Sequence, residues 1–190
     1  MTPAGEASDN ELARRAAGGD DRAFAQLVRR HKEPVYRLLR RYSGDPDDAY
    51  EAVQEAFVAA WSALARYDPA RPFGAWLRTI AINKARDRGR RAAVRRLLFG
   101  RSGLGEDQAQ SAPDPGPAAD EALIRNERLQ ALDRAVAALP PQLKEPLLLT
   151  AFEGLSQQEA GAILGVSPKT IETRAYRARK ILTERIGKTS

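Results

Sequence analysis

Apolar residues in the N-terminal half recur at every third or fourth position, which is the spacing of one face of an α-helix. A first run extends from a capping Asp20 or Asp21 to Tyr42, and Pro34 within it should kink or restart the helix. A second run begins at the GDPDD turn (44–48). Its apolar positions are Ala49, Ala52, Val53, Ala56, Phe57, Ala60, Trp61 and Leu64. The pattern predicts two consecutive amphipathic helices.

A third helix is predicted after the turn YDPARP (67–72), in the segment FGAWLRTIAINKARDRGRRAAVRR (73–96). The face that we expect to be buried consists of Phe73, Trp76, Leu77, Ile80, Ala81 and Ala85. A polar face has i, i+4, i+7 and i+11 spacing and carries Thr79, Asn83, Arg86 and Arg90. Ile82 lies on or beside this polar face, where burial does not require an apolar residue. The three helices define a first domain over 8–98.

The C-terminal part of the chain has the pattern of a helix-turn-helix. Ser156 and Glu159 form a capping box at the start of one helix, and Gly165 ends that helix where a left-handed residue is needed. Ser167 caps the next helix, and Pro168 occupies its first position, where proline is well tolerated. The residues of this second helix that we expect to face inward are Ile171, Ala175 and Ala178.

Between the two helical regions, residues 102–120 are rich in Gly, Pro, Ala and acidic residues and show no periodicity. This composition is typical of a flexible linker. We place the domains at 8–98 and 121–187, with the linker over 99–120. The chain shows no convincing strand pattern, and its abundant Ala, Leu and Arg favour helices. The predicted fold class is all-α, with two small helical domains joined by a flexible acidic linker, the second a helix-turn-helix.

The net charge of +6 and the pI of about 9.9 are typical of proteins that bind nucleic acid. The cations are concentrated in two blocks. Seven lie between Lys84 and Arg96 against one Asp, and seven lie between Lys169 and Lys188 against two Glu. The segment between these blocks, residues 102–121, carries five acidic residues and no basic ones. The charge therefore predicts two separate contacts with nucleic acid.

Several functional classes are disfavoured by composition. The chain has no Cys, which excludes disulfides and Cys-ligated metals. Its only His, His31, cannot form a metal cluster alone and is interpreted as structural, so we expect no metal or cofactor. No apolar run approaches the length of a membrane span, and the first residues lack the apolar core of a signal peptide. We therefore expect a cytoplasmic protein without membrane insertion.

A helix-turn-helix places its second helix in the major groove, with its N-terminal side chains over the bases. The side chains predicted to bind DNA there are Lys169, Thr170, Glu172, Thr173, Arg174, Arg177 and Lys180. By position, Thr170, Thr173 and Arg174 are candidates for base edges, whereas Arg177, Arg179 and Lys180 are candidates for phosphates. The alternative is an ordinary helical hairpin with a solvated basic face.

The basic helix of the first domain suits a different form of DNA. Its cations can follow phosphates, and exposed aromatic or apolar groups can support the unstacked bases of a single strand. Trp76 is a candidate platform for a base, although its spacing is at least as consistent with a place in the core. The Arg-rich end could equally be a solvated helix terminus.

The chain resembles an extracytoplasmic-function (ECF) sigma factor, a bacterial RNA polymerase initiation factor. The resemblance covers about 20–96 and 125–185. In the first domain it rests on DPDDAYEAVQEAFVAAW followed by FGAWLRTIAINKARDRGRR. In the second it rests on ALPPQLKEPLLLTAFEGLSQQEAGAILGVSPKTIETRAYRARK. Four residues depart from the usual family pattern and bear on which promoter bases are recognised: Tyr50, Gly74, Glu172 and Ala175.

The resemblance implies a division of labour. The residues implied to dock on the clamp helices of core RNA polymerase are Asp48, Glu51, Gln54 and Glu55. Those implied to melt and hold the −10 element of promoter DNA are Tyr67, Phe73, Trp76, Thr79, Asn83, Lys84, Arg86 and Arg90. The helix-turn-helix would recognise the −35 element as duplex. An anti-sigma factor is a further expected partner. In the free chain, DNA binding could be masked if the two basic faces contact each other or the acidic linker.

Two other functions are alternatives to this one. A stand-alone helix-turn-helix regulator with a helical sensing domain accounts for 125–187 but not for the acidic and basic helices before it. A nucleic-acid enzyme would need converging carboxylates for a metal, or a nucleophile with an activating base. The only dense acidic group comprises Asp45, Asp47 and Asp48, which fits a turn and helix cap far better. We therefore predict no catalytic residues.

Overall fold

A computed structural model of the chain describes residues 7–99 and 129–186, and every regular element in these two ranges is a helix. The first range contains α1 (Asp9–Ala17), α2 (Asp21–Ser43), α3 (Pro46–Ala63), a 3-10 turn (Leu64–Arg66) and α4 (Phe73–Phe99). The second contains α5 (helical over 129–137), α6 (Pro141–Leu147), a π-helical turn (Leu148–Phe152), α7 (Gln157–Leu164) and α8 (Pro168–Ile186). The predicted all-α fold class is confirmed. The predicted linker lies outside the described residues, except for Phe99 at the end of α4.

Short side chains set the helix boundaries of the first domain. The carboxylate of Asp20 accepts a hydrogen bond from the backbone N–H of Ala23 at 3.0 Å and caps α2. Asp45 caps α3 in the same way, and Gly44 before it ends α2 with a left-handed φ of 78°. The prediction that Pro34 could restart the helix is wrong, because α2 continues to Ser43. Packing of α2 against α1, α3 and α4 offsets the free energy that is lost with the one backbone hydrogen bond that the proline removes.

Helix α1 is absent from the predicted elements, although its sequence contains a start signal. Ser8 accepts a hydrogen bond from the backbone N–H of Glu11 at 3.2 Å. The apolar positions that this helix buries are Leu12, Ala13 and Ala16. Asp9 anchors the helix to α2, because its carboxylate lies 2.7 Å from Nε2 of His31 and 2.9 Å from Nη1 of Arg30. His31 therefore has a packing and pairing role in the structure.

Two apolar residues of the first domain were assigned to the wrong environment. Trp61 was expected in the core but is 41% exposed, with its ring edge-on to Phe24 at a centroid distance of 4.7 Å. Ile82 was expected beside the solvent but is only 2% exposed. Helix α4 contacts α1, α2 and α3 and also α7 of the second domain. More of its circumference is therefore covered than the sequence pattern of a single amphipathic helix predicts.

The helix-turn-helix forms as predicted. Ser156 and Glu159 make both bonds of the capping box, and Gly165 has a left-handed φ of 69°. The backbone N–H of Thr170 donates to Oγ of Ser167 at 3.2 Å, which caps α8. The inward positions Ile171, Ala175 and Ala178 are at most 3% exposed. Helices α7 and α8 contact each other, and α6 packs against both.

Gly161 is required by the close approach of the turn to α7. A Cβ at this position would lie 2.6 Å from the carbonyl oxygen of Val166, so the backbone of the turn would have to move. We expect Gly161→Ala to lower the free energy of unfolding by about 1–3 kcal/mol, as overpacking does elsewhere. The matched control is Gly89→Ala in α4, where a Cβ meets nothing within 4 Å. This control should be neutral or stabilising by about 0.5–1 kcal/mol, because alanine favours helix. Chemical denaturation of both variants tests the expectation, and equal effects would contradict it.

Candidate nucleic-acid interface and acidic docking surface

Helix α8 presents a continuous polar side to solvent. Most of the side chains predicted to bind DNA are exposed: Lys169, Glu172, Thr173, Arg177 and Lys180. Thr170 and Arg174 are half-buried and lie at the edge of this side. Tyr176 is 65% exposed on the same helix, although it is not among the side chains predicted to bind DNA. Its position in the sequence, between the predicted inward residue Ala175 and the predicted outward residue Arg177, is the signal that could have predicted its exposure.

The existing bonds on this side of α8 are solvated and weak. Nζ of Lys169 lies 2.8 Å from a carboxylate oxygen of Glu172, but the two side chains are 80% and 49% exposed. Oγ1 of Thr173 donates to the carbonyl oxygen of Lys169 at 2.9 Å. Exposed ion pairs of this kind contribute at most about 1 kcal/mol. The side chains of α8 can therefore exchange these partners for phosphates and bases.

The predicted polar face of α4 is divided between solvent and the second domain. Asn83 and Arg90 are exposed, whereas Thr79, Lys84 and Arg86 are half-buried. Arg90 forms an ion pair with Asp87, one turn away on the same helix. Arg86 instead points its guanidinium towards the second domain. The face that was predicted as one surface thus has an open part and an occupied part.

Three aromatic residues predicted to contact the −10 element form a cluster at the start of α4. The ring centroids of Tyr67, Phe73 and Trp76 lie between 5.0 and 5.6 Å apart. Phe73 is 1% exposed and Tyr67 is 8% exposed, so neither ring presents a face to solvent. The prediction of Phe73 and Tyr67 as DNA-contacting side chains does not fit this burial. Of the three, only Trp76 is half-buried and accessible at the edge of the cluster.

The hydroxyl of Tyr67 ties this cluster to α1. It lies 2.8 Å from Oδ1 of Asn10 and also bonds the carbonyl oxygen of Arg71. Burial, followed by the nearby carboxylates of Asp68 and Asp9, raises the pKa of Tyr67. The tyrosine therefore holds the loop before α4 in place as a neutral hydrogen-bonding group.

The acidic docking surface, defined as Asp48, Glu51, Gln54 and Glu55, lies along α3 and is bound internally by Arg88 of α4. Nε of Arg88 lies 2.9 Å from Oδ1 of Asp48, and Nη2 lies 2.7 Å from Oε2 of Glu51. Nη1 lies 2.8 Å from Oε1 of Glu55. One guanidinium therefore holds all three carboxylates of this surface on one side of α3.

The charge of Arg88 is strongly favoured in this arrangement. Burial acts to lower its pKa, but the hydrogen bonds that Arg88 donates to Asp48, Glu51 and Glu55 outweigh that effect, so the pKa of Arg88 is raised. Its side chain is 17% exposed, whereas those of Asp48 and Glu51 are 43% and 65% exposed. The carboxylates thus keep free lone pairs towards solvent, and a second guanidinium, that of Arg91, lies 3.4 Å from Oε2 of Glu55.

Two ion pairs connect α4 to the second domain. The guanidinium of Arg86 makes two hydrogen bonds to Glu145, one of them from Nε to Oε1 at 2.7 Å. Nε of Arg78 donates to Oε2 of Glu153 at 2.9 Å. The side chains of Glu145 and Glu153 are only 4% and 9% exposed. These two contacts are called the interdomain ion pairs below.

Tyr42 of α2 and Lys144 of α6 complete this contact. The hydroxyl of Tyr42 donates to Glu145 at 3.1 Å, and Nζ of Lys144 donates to the carbonyl oxygen of Tyr42 at 2.8 Å. Burial, followed by the Glu145 carboxylate, raises the pKa of Tyr42. Burial lowers the pKa of Lys144 to about 8, and the neighbouring Glu145 only partly opposes this.

Sequence reasoning missed Arg88, Arg78, Lys144, Glu145 and Glu153. The segment LKEPLLL (143–149) did contain a signal, because two charged residues stand inside an otherwise apolar run. Charged residues in such a position are buried only when they have partners. Which residues those partners are depends on the contact between domains, and no local pattern encodes it.

Two other kinds of site are absent from residues 7–99 and 129–186. No cluster of three or more His, Cys, Asp or Glu side chains there could hold a metal ion. In the same part of the chain, no helix is both long enough and apolar enough to span a membrane.

Comparison with known proteins places this arrangement in a family. Sigma-70 region 2 matches residues 27–95, and Sigma-70 region 4 matches residues 129–182. The RNA polymerase sigma factor CnrH of Cupriavidus metallidurans is 40% identical over 94% of each chain. The ECF RNA polymerase sigma factor SigE of Mycolicibacterium smegmatis is 36% identical over 92% of this chain and 66% of its own.

Solved structures agree with this relationship. The structure of CnrH in complex with the cytosolic domain of CnrY has a TM-score of 0.69 at 37% identity, covering 96% of this chain and 99% of CnrH. The sigma factor RpoE, in complex with the anti-sigma factor NepR from Bartonella quintana, has a TM-score of 0.62 at 25% identity, covering 86% and 96%. The chain therefore belongs to the sigma factors of RNA polymerase. Within them it is a member of the ECF group and acts in promoter-specific transcription initiation.

The lowered pKa of Lys144 predicts a pH dependence of stability. An unfolded lysine titrates near 10.5, whereas folded Lys144 titrates near 8, so its buried charge is a penalty below about pH 8. That penalty decreases as pH rises from 8 towards 10.5. We expect the difference in Tm between the wild type and Lys144→Met to move in favour of the wild type between pH 7.5 and pH 10.

The control for this experiment is Arg37→Met on α2, because an arginine stays charged over the whole range. Its difference in Tm from the wild type should not follow the same trend. Measurements stop near pH 10, since Tyr42 also titrates differently in the folded and unfolded chains above that value. A Lys144→Met difference that is constant with pH would contradict the assignment.

Proposed function

We propose that this sigma factor recognises a two-part promoter with its two basic helices and docks on core RNA polymerase through its acidic docking surface. The observation that carries the proposal is the placement of opposite charges on one chain. Helices α4 and α8 direct cations outward from separate domains, whereas α3 presents carboxylates to solvent.

Helix α8 would bind the −35 element as duplex in the major groove. Its N-terminal part carries Thr170, Thr173 and Arg174, which suit base edges, and Arg177 and Lys180 further along suit phosphates. Lys169 and Glu172 are also exposed at this end, and Glu172 could accept a hydrogen bond from a cytosine amine.

Helix α4 would hold the −10 element once its strands separate. Asn83 and Arg90 are exposed and offer an amide and a cation on one side of the helix. Trp76, Thr79, Lys84 and Arg86 are half-buried on or near the same side. Phe73 and Tyr67 would support this site from the core by fixing Trp76 and the preceding loop, in place of direct contact.

The acidic docking surface would bind basic side chains of the polymerase clamp helices. Arg88 keeps its three carboxylates in fixed positions, so docking does not have to order them. Pre-ordering of charged side chains lowers the entropic cost of association. Gln54, which is exposed on the same helix, adds a neutral hydrogen-bonding group.

Further partners and the cellular location follow from the same proposal. The structure of RpoE contains the anti-sigma factor NepR, and that of CnrH contains the cytosolic domain of CnrY. We propose that an anti-sigma factor also regulates this chain and that both act in the cytoplasm. The chemistry of RNA synthesis would belong to the polymerase, and this chain would carry no catalytic residue or cofactor.

Transcription of a genomic fragment library by bacterial core polymerase tests the function and the docking surface together. We expect discrete start sites that require both proteins. Glu51→Lys reverses the charge of a side chain that is 65% exposed, and it should weaken binding to core polymerase by about tenfold or more. Glu33→Lys on α2, at 67% exposure, makes the same change in charge away from this surface and should not.

The outcomes of that experiment separate the possible functions. Start sites that appear with the wild type and Glu33→Lys but weaken with Glu51→Lys support both statements. Equal loss with the two variants would contradict the docking surface. Specific shifts of duplex DNA by the chain alone, without any new transcripts, would favour a stand-alone regulator.

Two arginines of α8 should affect promoter binding differently. Arg174→Ala should cost about 1–3 kcal/mol and relax the preference at one or two base pairs, because this side chain is assigned to base edges. Arg177→Ala should weaken all promoters alike and reduce the salt dependence of binding by about one phosphate contact. Polymerase complexes on mutated −35 elements, measured at several salt concentrations, test this difference. Arg29→Ala on α2 is the control for loss of an exposed cation, and identical behaviour of the two α8 variants would overturn the assignments.

A further inference from the structure

We propose that Asn10 of α1 is a positioning residue for the −10 element, because its side chain fixes the loop over 67–72 that leads into α4. This loop is called the braced loop below. The inference rests on the proposed function, since it assumes that α4 and the loop before it hold the −10 element. Asn10 lies outside the segment that matches Sigma-70 region 2, which begins at residue 27.

The amide of Asn10 bonds the braced loop in two ways. Its Nδ2 donates to the carbonyl oxygen of Pro69 at 2.8 Å, and its Oδ1 lies 2.8 Å from the hydroxyl of Tyr67. The same hydroxyl bonds the carbonyl oxygen of Arg71. A carbonyl oxygen can only accept, so the Pro69 contact fixes which end of the amide faces the loop. One amide and one hydroxyl thus connect α1 to the loop backbone at two points.

Helix α1 is a firm support for these bonds, because the residue before Asn10 anchors it to α2. The carboxylate of Asp9 lies 2.7 Å from Nε2 of His31 and 2.9 Å from Nη1 of Arg30. Burial opposes the charge of Asp9, but its bonds to Arg30 and His31 outweigh burial, so the pKa of Asp9 is lowered. Leu12, one turn along α1, is fully buried. These contacts lie within the first domain and do not depend on the interdomain ion pairs.

The braced loop borders the side chains assigned to the −10 element. A cavity of about 290 Å³ lies between the loop, the start of α4 and α7. Its lining on the side of the first domain includes Ala70, Arg71, Pro72, Trp76 and Thr79. Residues 68–72 are all exposed, and Arg71 adds a cation beside Trp76. The loop and the assigned residues of α4 therefore form one concave surface.

Hydrogen bonds within the loop set its shape, whereas Asn10 sets its position. The backbone N–H of Ala70 donates to Oδ1 of Asp68 at 2.9 Å, and that of Arg71 donates to the carbonyl oxygen of Asp68 at 3.0 Å. Both bonds are local and would move with the turn. An unstacked base has to be held against a defined surface, and a loop that is already ordered lowers the entropic cost of holding it.

Three variants separate this role from a general effect on α1. Asn10→Ala removes both bonds of the amide. Asn10→Asp keeps an acceptor for Tyr67 but has no proton for the carbonyl of Pro69, and a carboxylate in the first turn stabilises a helix. Glu11→Ala is the matched control, because it alters the next residue of α1, whose side chain pairs with Arg14 on the same helix.

The first measurement is amide hydrogen exchange over 67–71 in the free chain. We expect exchange to be about tenfold faster in Asn10→Ala than in the wild type. Asn10→Asp should also exchange faster there, although its Tm should equal or exceed that of the wild type. Glu11→Ala should match the wild type in the loop. Unchanged exchange in both Asn10 variants would overturn the brace.

The second measurement is the affinity of the polymerase complex for single-stranded −10 DNA, taken from a promoter found by transcription of the genomic library. Asn10→Ala should bind this strand about fivefold more weakly than the wild type, and Glu11→Ala equally well. Strands that lack one base at a time locate the effect. Where the missing base is the one held beside the loop, the wild type and Asn10→Ala should bind alike. The same loss on every strand would contradict a positioning role.

Failure of the brace and failure of the proposed function give different results. Hydrogen exchange uses the free chain without DNA, whereas the proposed function is measured as transcription with core polymerase. Absence of start sites with the wild type would refute the promoter assignment and the positioning role with it, even if the loop exchanges faster in the variants. Start sites with the wild type, together with equal strand binding by Asn10→Ala, would refute the positioning role alone.

Discussion

The rest of this structure depends on one constraint, which is that the arginines of α4 need negatively charged partners. Without a polyanion, guanidinium groups on a half-buried helix must find carboxylates, because their charge cannot be removed. Arg88 forms ion pairs with Asp48, Glu51 and Glu55 on α3. In the second domain, Arg86 pairs with Glu145 and Arg78 pairs with Glu153. These ion pairs contribute to the position of α4 and to the arrangement of the two domains, together with the apolar core that includes Phe73, Leu77 and Ile82 of α4.

One helix thereby connects three surfaces that the sequence presents as separate. Towards α3, α4 fixes the carboxylates of the acidic docking surface. Towards the second domain, it holds the helix-turn-helix through α6 and the turn that follows. Its remaining exposed side carries Asn83 and Arg90. A partner that binds one of these surfaces changes the electrostatic environment of the other two, so docking and DNA binding need not be independent events.

The elements that sequence reasoning predicted correctly are those fixed by neighbouring residues. Asp20, Asp45 and Ser156 cap helices within three residues of themselves, and Gly165 ends α7 by its own conformation. The errors share another origin. Ile82 and Trp61 were assigned from helical spacing, yet their burial depends on which other elements cover α3 and α4. Glu145 is the extreme case, because its partners Tyr42 and Arg86 are 103 and 59 residues away in the chain. Periodicity describes which faces of a single helix are apolar, whereas these contacts depend on how three helices pack together.

Ionic strength should act differently on the two groups that can pair with Arg86, namely the carboxylate of Glu145 and a DNA phosphate. Binding of α4 to DNA, as proposed, would release condensed counterions, so its affinity would fall steeply as salt rises. In the Arg86–Glu145 pair the side chain of Glu145 is 4% exposed and that of Arg86 is 34% exposed, and partly buried pairs are screened less than exposed ones. Rising salt should therefore weaken the proposed binding of α4 to DNA more than it weakens the Arg86–Glu145 pair.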